Sequence, residues 1–261
     1  MKVLFITLGI YGRTGGIERF NQRVVRCLSE LHGTLLDESL VIALWDTPEQ
    51  CSLVPGNIRF IPGCRQKIQT MTHFLRHVWQ MQPDIILYGH ILLAPLAFLA
   101  RLLCPTARRL LFAYGFEVWN EYLRPTPWWE PQIVRFAIDY IITISRFTSD
   151  RMEQIYGLPK SIFRLLPCAV DLPAHSSDVS LPPRAGLQTL LSVTRLGYIE
   201  RYKHCDKVIL AMPHVLKVFP KVHYYVAGEG PLRSELAALA KEVGVADHVH
   251  LLGYVSDARL N

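Results

Sequence analysis

No C-x-x-C pair occurs in the sequence; its six cysteines (Cys27, Cys51, Cys64, Cys104, Cys168 and Cys205) stand apart. That argues against a zinc site or a disulfide framework and for a reducing cytosol. No G-x-G-x-x-G run occurs either. The longest apolar stretch, "ILLAPLAFLARLLCP" at 91–105, is broken by Pro95 and Arg101. It falls short of the roughly 20 apolar residues that span a bilayer, so it reads as a buried helix. The opening "MKVLFITLGIYGRTGG" has no A-x-A-like cleavage site and runs into glycines, so it reads as a first strand, not a signal peptide. Internal repeats and low-complexity tracts are also absent. Charge is sparse at 19% of residues, and acidic residues are outnumbered 22 to 28, a net charge of +6.

Half of the 261 residues are hydrophobic, which describes a well-cored globular chain. The basic excess suits anionic partners such as phosphorylated ligands, acidic lipid surfaces or nucleic acid. The basic residues form no long stripe, so nucleic acid is not expected as a partner.

Short apolar runs alternate with helical patterns. Strands are expected at 2–8, 39–45, 58–62, 84–89, 109–114, 140–145 and 163–167, and helices at 17–31 and 67–81. Most of the runs are continuous, as parallel strands covered on both faces require. The rhythm predicts an α/β fold with a doubly wound parallel sheet. The Pro- and Ser-rich "LPAHSSDVSLPPRAG" reads as a linker. Beyond it the pattern restarts with strand 188–194, helix 204–218, strand 222–228, helix 232–244 and strand 248–254. The expected domains are 1–171 and 188–261, joined by 172–187. Ligands of such sheets bind beyond the carboxyl ends of the strands.

Several of those strand ends carry candidate chemistry. "GIYGRTGGIERF" places Gly12, Gly15 and Gly16 before a helix, where amides approach an anion closely. "DIILYGHI" places His90 at a strand end, where a backbone-bonded histidine is the plainer alternative. "LLFAYGFEVWNE" does the same for Tyr114, Gly115 and Glu117, with helix capping as the plainer role of Glu117. "SVTRLGYIERYKHCDKVIL" sets Arg195, Arg201 and Lys203 after an apolar strand with only Glu200 to balance them. "YVAGEGPLRSEL" holds Gly228 and Gly230, and "HVHLLGYV" ends in Gly253. The aromatic stretch 117–131 reads first as a satellite core. Helix 67–81 carries Lys67, His73, Arg76 and His77 beside Ile68, Met71, Phe74, Leu75 and Val78. It leaves peripheral contact with an acidic membrane open, a core-packed helix being the plainer reading.

Together these stretches resemble glycosyltransferase family 4, the retaining sugar-nucleotide transferases of GT-B fold. The resemblance rests on "GGIERFNQRVVRCL", on "DYIITISRFTSDRMEQIYGLPKSIFRLLPCAVDL" and on three C-terminal motifs in the family's order: "LLSVTRLGYIERYKHCDKVILAM", "YYVAGEGPLRSEL" and "HVHLLGYVSDARL". It implies a GT-B-like N-terminal Rossmann-like domain plus a partial second one. The implied activity moves a sugar from a nucleotide-diphosphate sugar to a glycan or lipid-linked acceptor. The implied setting is cell-surface polysaccharide or glycolipid synthesis, in the cytoplasm or at the inner face of the membrane, with no obligatory metal and no cofactor beyond the nucleotide sugar. Arg195 and Lys203 match the family's basic pair on the donor diphosphate, and Arg201 does not. Fixed cations there stabilise the leaving group as its charge develops, Arg bidentately and Lys as a point charge.

By the same matching, Gly15 and Gly16 offer amides near the diphosphate or acceptor. Gly228, Gly230 and Gly253 lie near the nucleoside, and Tyr114 stands where the family often has the His of an "HG" pair. His90 is the further catalytic candidate. The family's E-x7-E carboxylates belong beyond residue 261. The second domain is therefore expected to be incomplete, with strand 188–194 at an edge, weak diphosphate binding and no measurable transfer. Two alternatives remain. One is a non-catalytic remnant binding a phosphorylated ligand or a partner protein. The other is an NAD(P) oxidoreductase with Asp46 on the ribose, although Asp46 follows the glycines by more than the roughly 20 residues of that fingerprint.

Overall fold

In the computed structural model, which describes residues 1–119, 125–169 and 188–256, the continuous apolar runs are parallel strands. The chain divides into two units, Met1–Val170 and Asp171–Asn261. The first runs β1 (Lys2–Thr7), α1 (Gly16–Leu31), β2 (Glu38–Ala43), β3 (Arg59–Pro62), α2 (Lys67–Met81), β4 (Ile85–Tyr88), α3 (Ala94–Leu103), β5 (Arg108–Ala113), α4 (Phe116–Trp119), α5 (Glu130–Ala137), β6 (Tyr140–Thr143), α6 (Arg146–Tyr156) and β7 (Phe163–Leu165). Its sheet has the order β3-β2-β1-β4-β5-β6-β7, every pair parallel.

Successive strand residues point to opposite faces. Leu4 and Ile6 join one core with Leu40, Phe74, Val78 and Ile86, while Val3 and Phe5 join another with Val25, Val41 and Phe112. Both faces are buried, which is why the strands show no polar alternation. The helices have local signals too. Ser145 caps α6 by accepting the Thr148 amide at 3.1 Å, and Gly157 ends that helix at φ +61°.

The stretch 91–105 is helical over Ala94–Leu103, after a 3-10 turn at Ile91–Leu93, but is not wholly buried. It hides Ala94, Ala97 and Ala100, while Phe98, Leu102 and Leu103 face out. Small residues at helical spacing let α3 lie close to the core, and its long side chains take the other side. No helix among the described residues is long and apolar enough to cross a membrane.

The second unit contains β8 (Thr189–Val193), α7 (Cys205–Val218), β9 (His223–Ala227), α8 (Leu232–Glu242) and β10 (Val249–Gly253), with parallel order β10-β9-β8. Tyr224 and Val226 pack with Leu196, Ile209, Met212 and Leu236. β8 and β10 are the edge strands among the described residues, and the apolar run of β8 is largely exposed rather than buried. The expected linker 172–187, the middle of the aromatic stretch (120–124), Val170 and Asp171 of "PCAVD" and the end of "SDARLN" lie outside the described residues.

Candidate active site

In the first unit the chain leaves β1 and turns through residues 8–15 into α1. The turn is tied down from two sides. Asp46, just beyond β2 and fully buried, accepts the Ile10 amide on Oδ2 at 2.8 Å and those of Tyr11 and Gly12 on Oδ1 at 2.7 and 2.6 Å. From α1, Asn21 Nδ2 donates to the Gly9 carbonyl at 2.9 Å and Gln22 Nε2 to the Ile10 carbonyl at 2.7 Å. Asp46 therefore holds backbone and is not presented to a ribose, which removes the oxidoreductase alternative.

The glycines of this turn differ in role. A Cβ on Gly12 would stand 3.3 Å from the Trp45 carbonyl, so this glycine serves internal packing. A Cβ on Gly16 would meet nothing within 4 Å. Gly15 is extended (φ −176°) and gives α1 no side-chain cap. The start of α1 thus has open space beside it and first-turn amides that its N-cap residue does not bond.

The other first-unit candidates are engaged in supporting the loops. The Tyr114 hydroxyl is buried and donates to Asn21 Oδ1 at 2.9 Å; Asn21 in turn donates to Thr7 Oγ1 at 2.8 Å. Burial, and secondarily the Glu117 charge, push the Tyr114 phenol well above its usual pKa of 10. Glu117 accepts the Tyr114 amide at 2.6 Å and the Gly115 amide at 3.1 Å. Both residues brace the turn after β5. His90 is half-buried, and its Nδ1 accepts the Leu92 amide at 3.1 Å. In the neutral ring the proton therefore sits on Nε2.

In the second unit Arg195 follows β8 on a backbone held by its neighbours. The Thr194 amide donates to the Ala227 carbonyl at 3.0 Å, the Leu196 amide to the Glu229 carbonyl at 2.8 Å, and the Leu232 amide to the Leu196 carbonyl at 3.0 Å. Gly228 (φ +152°) and Gly230 (φ +149°) permit this: a Cβ on either would collide with the backbone of Thr194 or of Leu196. The close approach expected of these two glycines is therefore made to the Arg195 loop itself. Gly253 (φ +73°) ends β10, and its carbonyl accepts the Gly228 amide at 2.7 Å.

The Arg195 side chain is 62% exposed and pairs with Glu200 at 3.0 Å. Arg201 pairs with Glu235 of α8 at 2.6 Å. Lys203 lies 4.8 Å over the Tyr202 ring and has no carboxylate partner among the described residues. A cavity of about 450 Å³ between the starts of α7 and α8 is lined by Arg195, Glu200, Arg201 and Glu235, but not by Lys203.

Three residues that matter here do not stand out as site residues in the sequence: Asn21, Glu200 and Asp46 in its actual role. Asn21 does carry a signal. It precedes Val25 by four residues and Leu28 by seven, so it sits on the buried stripe of α1, where a polar side chain needs a partner. Among the described residues no group of three or more His, Cys, Asp or Glu is placed to hold a metal ion.

Comparison with known proteins bears on this arrangement. Residues 14–173 match the profile "Glycosyltransferase Family 4", and residues 181–261 match "Glycosyl transferases group 1". Over 163 residues, 60% of the chain, it is 28% identical to the GDP-mannose-dependent alpha-(1-6)-phosphatidylinositol monomannoside mannosyltransferase of Mycolicibacterium smegmatis, covering 42% of that protein. Over 123 residues, 47% of the chain, it is 28% identical to a phosphatidylinositol N-acetylglucosaminyltransferase component of Arabidopsis thaliana, covering 27% of it. The chain thus spans less than half the length of these curated relatives.

Among solved structures, lipopolysaccharide outer core galactosyltransferase WaaB aligns with a TM-score of 0.71 at 17% identity, over 100% of this chain and 70% of that one. Anabaena HepE in complex with UDP-glucose aligns with a TM-score of 0.71 at 16% identity, over 98% and 70%. At such identities the likeness speaks for the fold, which is GT-B. The Family 4 match covers more than half of the chain, and the second match follows it in order over β8, the Arg195 loop and β10, so the chain belongs to glycosyltransferase family 4.

Proposed function

We propose that this chain carries the donor-diphosphate site and the acceptor-side unit of a glycosyltransferase. It would move a hexose from a nucleotide-diphosphate sugar to a glycan or lipid-linked acceptor with retention. The bond from the anomeric carbon to the diphosphate oxygen breaks and its electron pair stays on that oxygen, a bond from the anomeric carbon to the acceptor hydroxyl oxygen forms, and the hydroxyl proton passes to the departing diphosphate. The observation that carries this reading is Arg195, an exposed guanidinium on a backbone fixed from both sides. Such a cation, carried on a fixed backbone and shared with Glu200, supplies positive charge where charge develops on the diphosphate. Lys203 adds a point charge from the same segment. Gly15 and Gly16 offer the start of α1, Gly253 stands on the nucleoside side, and His90 is the further catalytic candidate. Tyr114, Glu117, Gly228 and Gly230 act by holding those loops. No metal is assigned a role.

The test is calorimetric titration of the chain with UDP, GDP and their hexose conjugates. At least one should bind, Arg195→Ala should weaken it about tenfold or more, and Arg201→Ala should change it by less than about threefold, Arg201 standing outside the basic pair that the family resemblance matches. Equal loss in both variants would mean a diffuse basic surface, and no binding to wild type would overturn the reading.

The relatives named as acting on phosphatidylinositol lipids support a lipid-linked acceptor, reached from the cytoplasmic face of a membrane. α2 supplies a surface for it. Thr70, Phe74, His77, Val78 and Met81 are buried, so Phe74, His77 and Val78 are not available for contact. Ile68, Met71 and Trp79 face outward, flanked by Lys67 and Arg76. Binding to phosphatidylglycerol vesicles at low salt should fall in Trp79→Ser. Absence of vesicle binding by wild type would remove the membrane contact.

A further inference from the structure

The buried carboxylate of Asp46 does more than fill a polar gap. It accepts three successive amides of one loop, at 2.8, 2.7 and 2.6 Å. Gly9 and Gly12 bring the loop backbone against Trp45 and Asp46, since a Cβ on either would lie 3.2 or 3.3 Å from Trp45 atoms. Arg13, the next residue, stacks its guanidinium 4.4 Å from the Trp45 ring centroid. On the opposite side the Asn21 and Gln22 amides take the Gly9 and Ile10 carbonyls. Residues 9–13 are thus clamped between the end of β2 and the first turns of α1. Residues 14–16, which lead to open space, are not.

We propose that Asp46 is a positioning residue of the glycine loop: through the amides of Ile10, Tyr11 and Gly12 it sets where the uncapped start of α1, with Gly15 and Gly16, stands relative to the substrate. It touches no reacting atom. A carboxylate suits this task because it accepts several hydrogen bonds at once and offers none, and bonds to a charged acceptor are the strong ones. An asparagine of the same shape turns one acceptor into a donor facing an N–H. The inference rests on the transferase reading for what the loop serves, but its geometry is testable without turnover.

The experiment is residue-resolved amide hydrogen exchange on the full chain, wild type against Asp46→Asn and Asp46→Glu, followed by calorimetric titration of each with UDP and GDP. In Asp46→Asn the Ile10, Tyr11 and Gly12 amides should exchange faster by on the order of ten- to a hundredfold, the loss of a charged-acceptor bond. Leu4, Phe5 and Ile6 of β1 should keep their rates. Affinity for UDP or GDP, whichever wild type binds, should fall about tenfold, and Asp46→Glu should recover part of both the protection and the affinity. Should Asp46→Asn fail to fold, Gly12→Ala applies the same displacement from the loop side and should give the same pattern.

Unchanged exchange at residues 10–12 would overturn the proposal, as would a uniform rise across β1 and α1 or an unchanged nucleotide affinity beside a freed loop. If the wild-type chain neither binds UDP or GDP nor transfers, the transferase reading fails, while the exchange pattern still decides what Asp46 does.

Discussion

β1 and β8 open their units with similar words, KVLFIT and TLLSV, yet β1 buries five of its six residues while Leu190, Leu191 and Val193 of β8 are 38%, 58% and 58% exposed. The runs are equally apolar. The difference lies in their neighbours: β1 pairs with β2 and β4 and has a core on each face, while β8 pairs only with β9 among the described residues. Burial is a property of the pairing, not of the strand's own composition. The site loops differ in a parallel way. The first unit holds its glycine loop with a side chain, the Asp46 carboxylate. The second holds Arg195 by packing backbone on backbone, which glycine alone allows at 228 and 230.

The sharpest way to break this comparison is to add one methyl group to a glycine in each unit. In Gly228→Ala the new Cβ runs into the Thr194 carbonyl at a positive φ, so the loop under Arg195 must move. The second unit should lose about 3 kcal/mol or more, and nucleotide binding with it. In Gly16→Ala the Cβ enters open space, and stability should stay within about 0.5 kcal/mol. All five tryptophans precede residue 130 and so report the first unit alone. Urea titrations followed by tryptophan fluorescence, with amide exchange at β9 for the second unit, separate the two. A fluorescence midpoint that drops in Gly228→Ala would show the units to be coupled and the contrast to be false.

Strand positions and the parallel α/β class were legible because parallel strands under two covers print a local signature, an unbroken apolar run between turn residues; the strand order was not, since it depends on which runs pair. The α2 limits, 67–81, were readable to the residue for a similar reason: helical spacing begins and ends there. The exposure of β8 was not legible as a pattern, since Leu190, Leu191 and Val193 look like core wherever they sit. Nor were the jobs of Asp46, Tyr114 and Gly228. Each depends on a contact to a distant residue: Gly12, Asn21 and Thr194 respectively. The sequence marked these positions as unusual and suggested a ligand as the reason. In each the first claim on the residue is the protein's own backbone or a side chain from another element. The Arg195 guanidinium is likewise claimed first from within the protein, by Glu200 at 3.0 Å, although it stays largely exposed.

A smaller effect should distinguish the units by pH. On the face of the second sheet away from Tyr224 and Val226, His223 of β9 and His250 of β10 share a hydrogen bond, Nδ1 to Nε2, at 2.9 Å. His248 stacks on His223 at 5.0 Å, Tyr225 stacks on His250 at 4.6 Å, and His248 Nδ1 donates to the Val222 carbonyl at 2.9 Å. A hydrogen bond between two ring nitrogens needs one of them unprotonated, so the pair cannot be doubly charged and intact. Burial first, then the charges of His223 and His248, hold His250 below its usual value of 6.5. The unfolded chain, with histidines near 6.5, therefore takes up protons before the folded one does. Well above pH 6.5 His250 is neutral in both states and stability is flat in this respect. As the pH falls through about 6.5 the second unit loses stability, until folded His250 also titrates. Amide exchange at β9 should accelerate between about pH 6.5 and 5 beyond the intrinsic trend, while the tryptophan transition of the first unit moves less. His250→Phe keeps a ring against Tyr225 and removes the titrating partner, so the acid-dependent part should shrink in that variant. If His250→Phe retains the full acid dependence, the histidine stack is a bystander and the two units differ in covering alone.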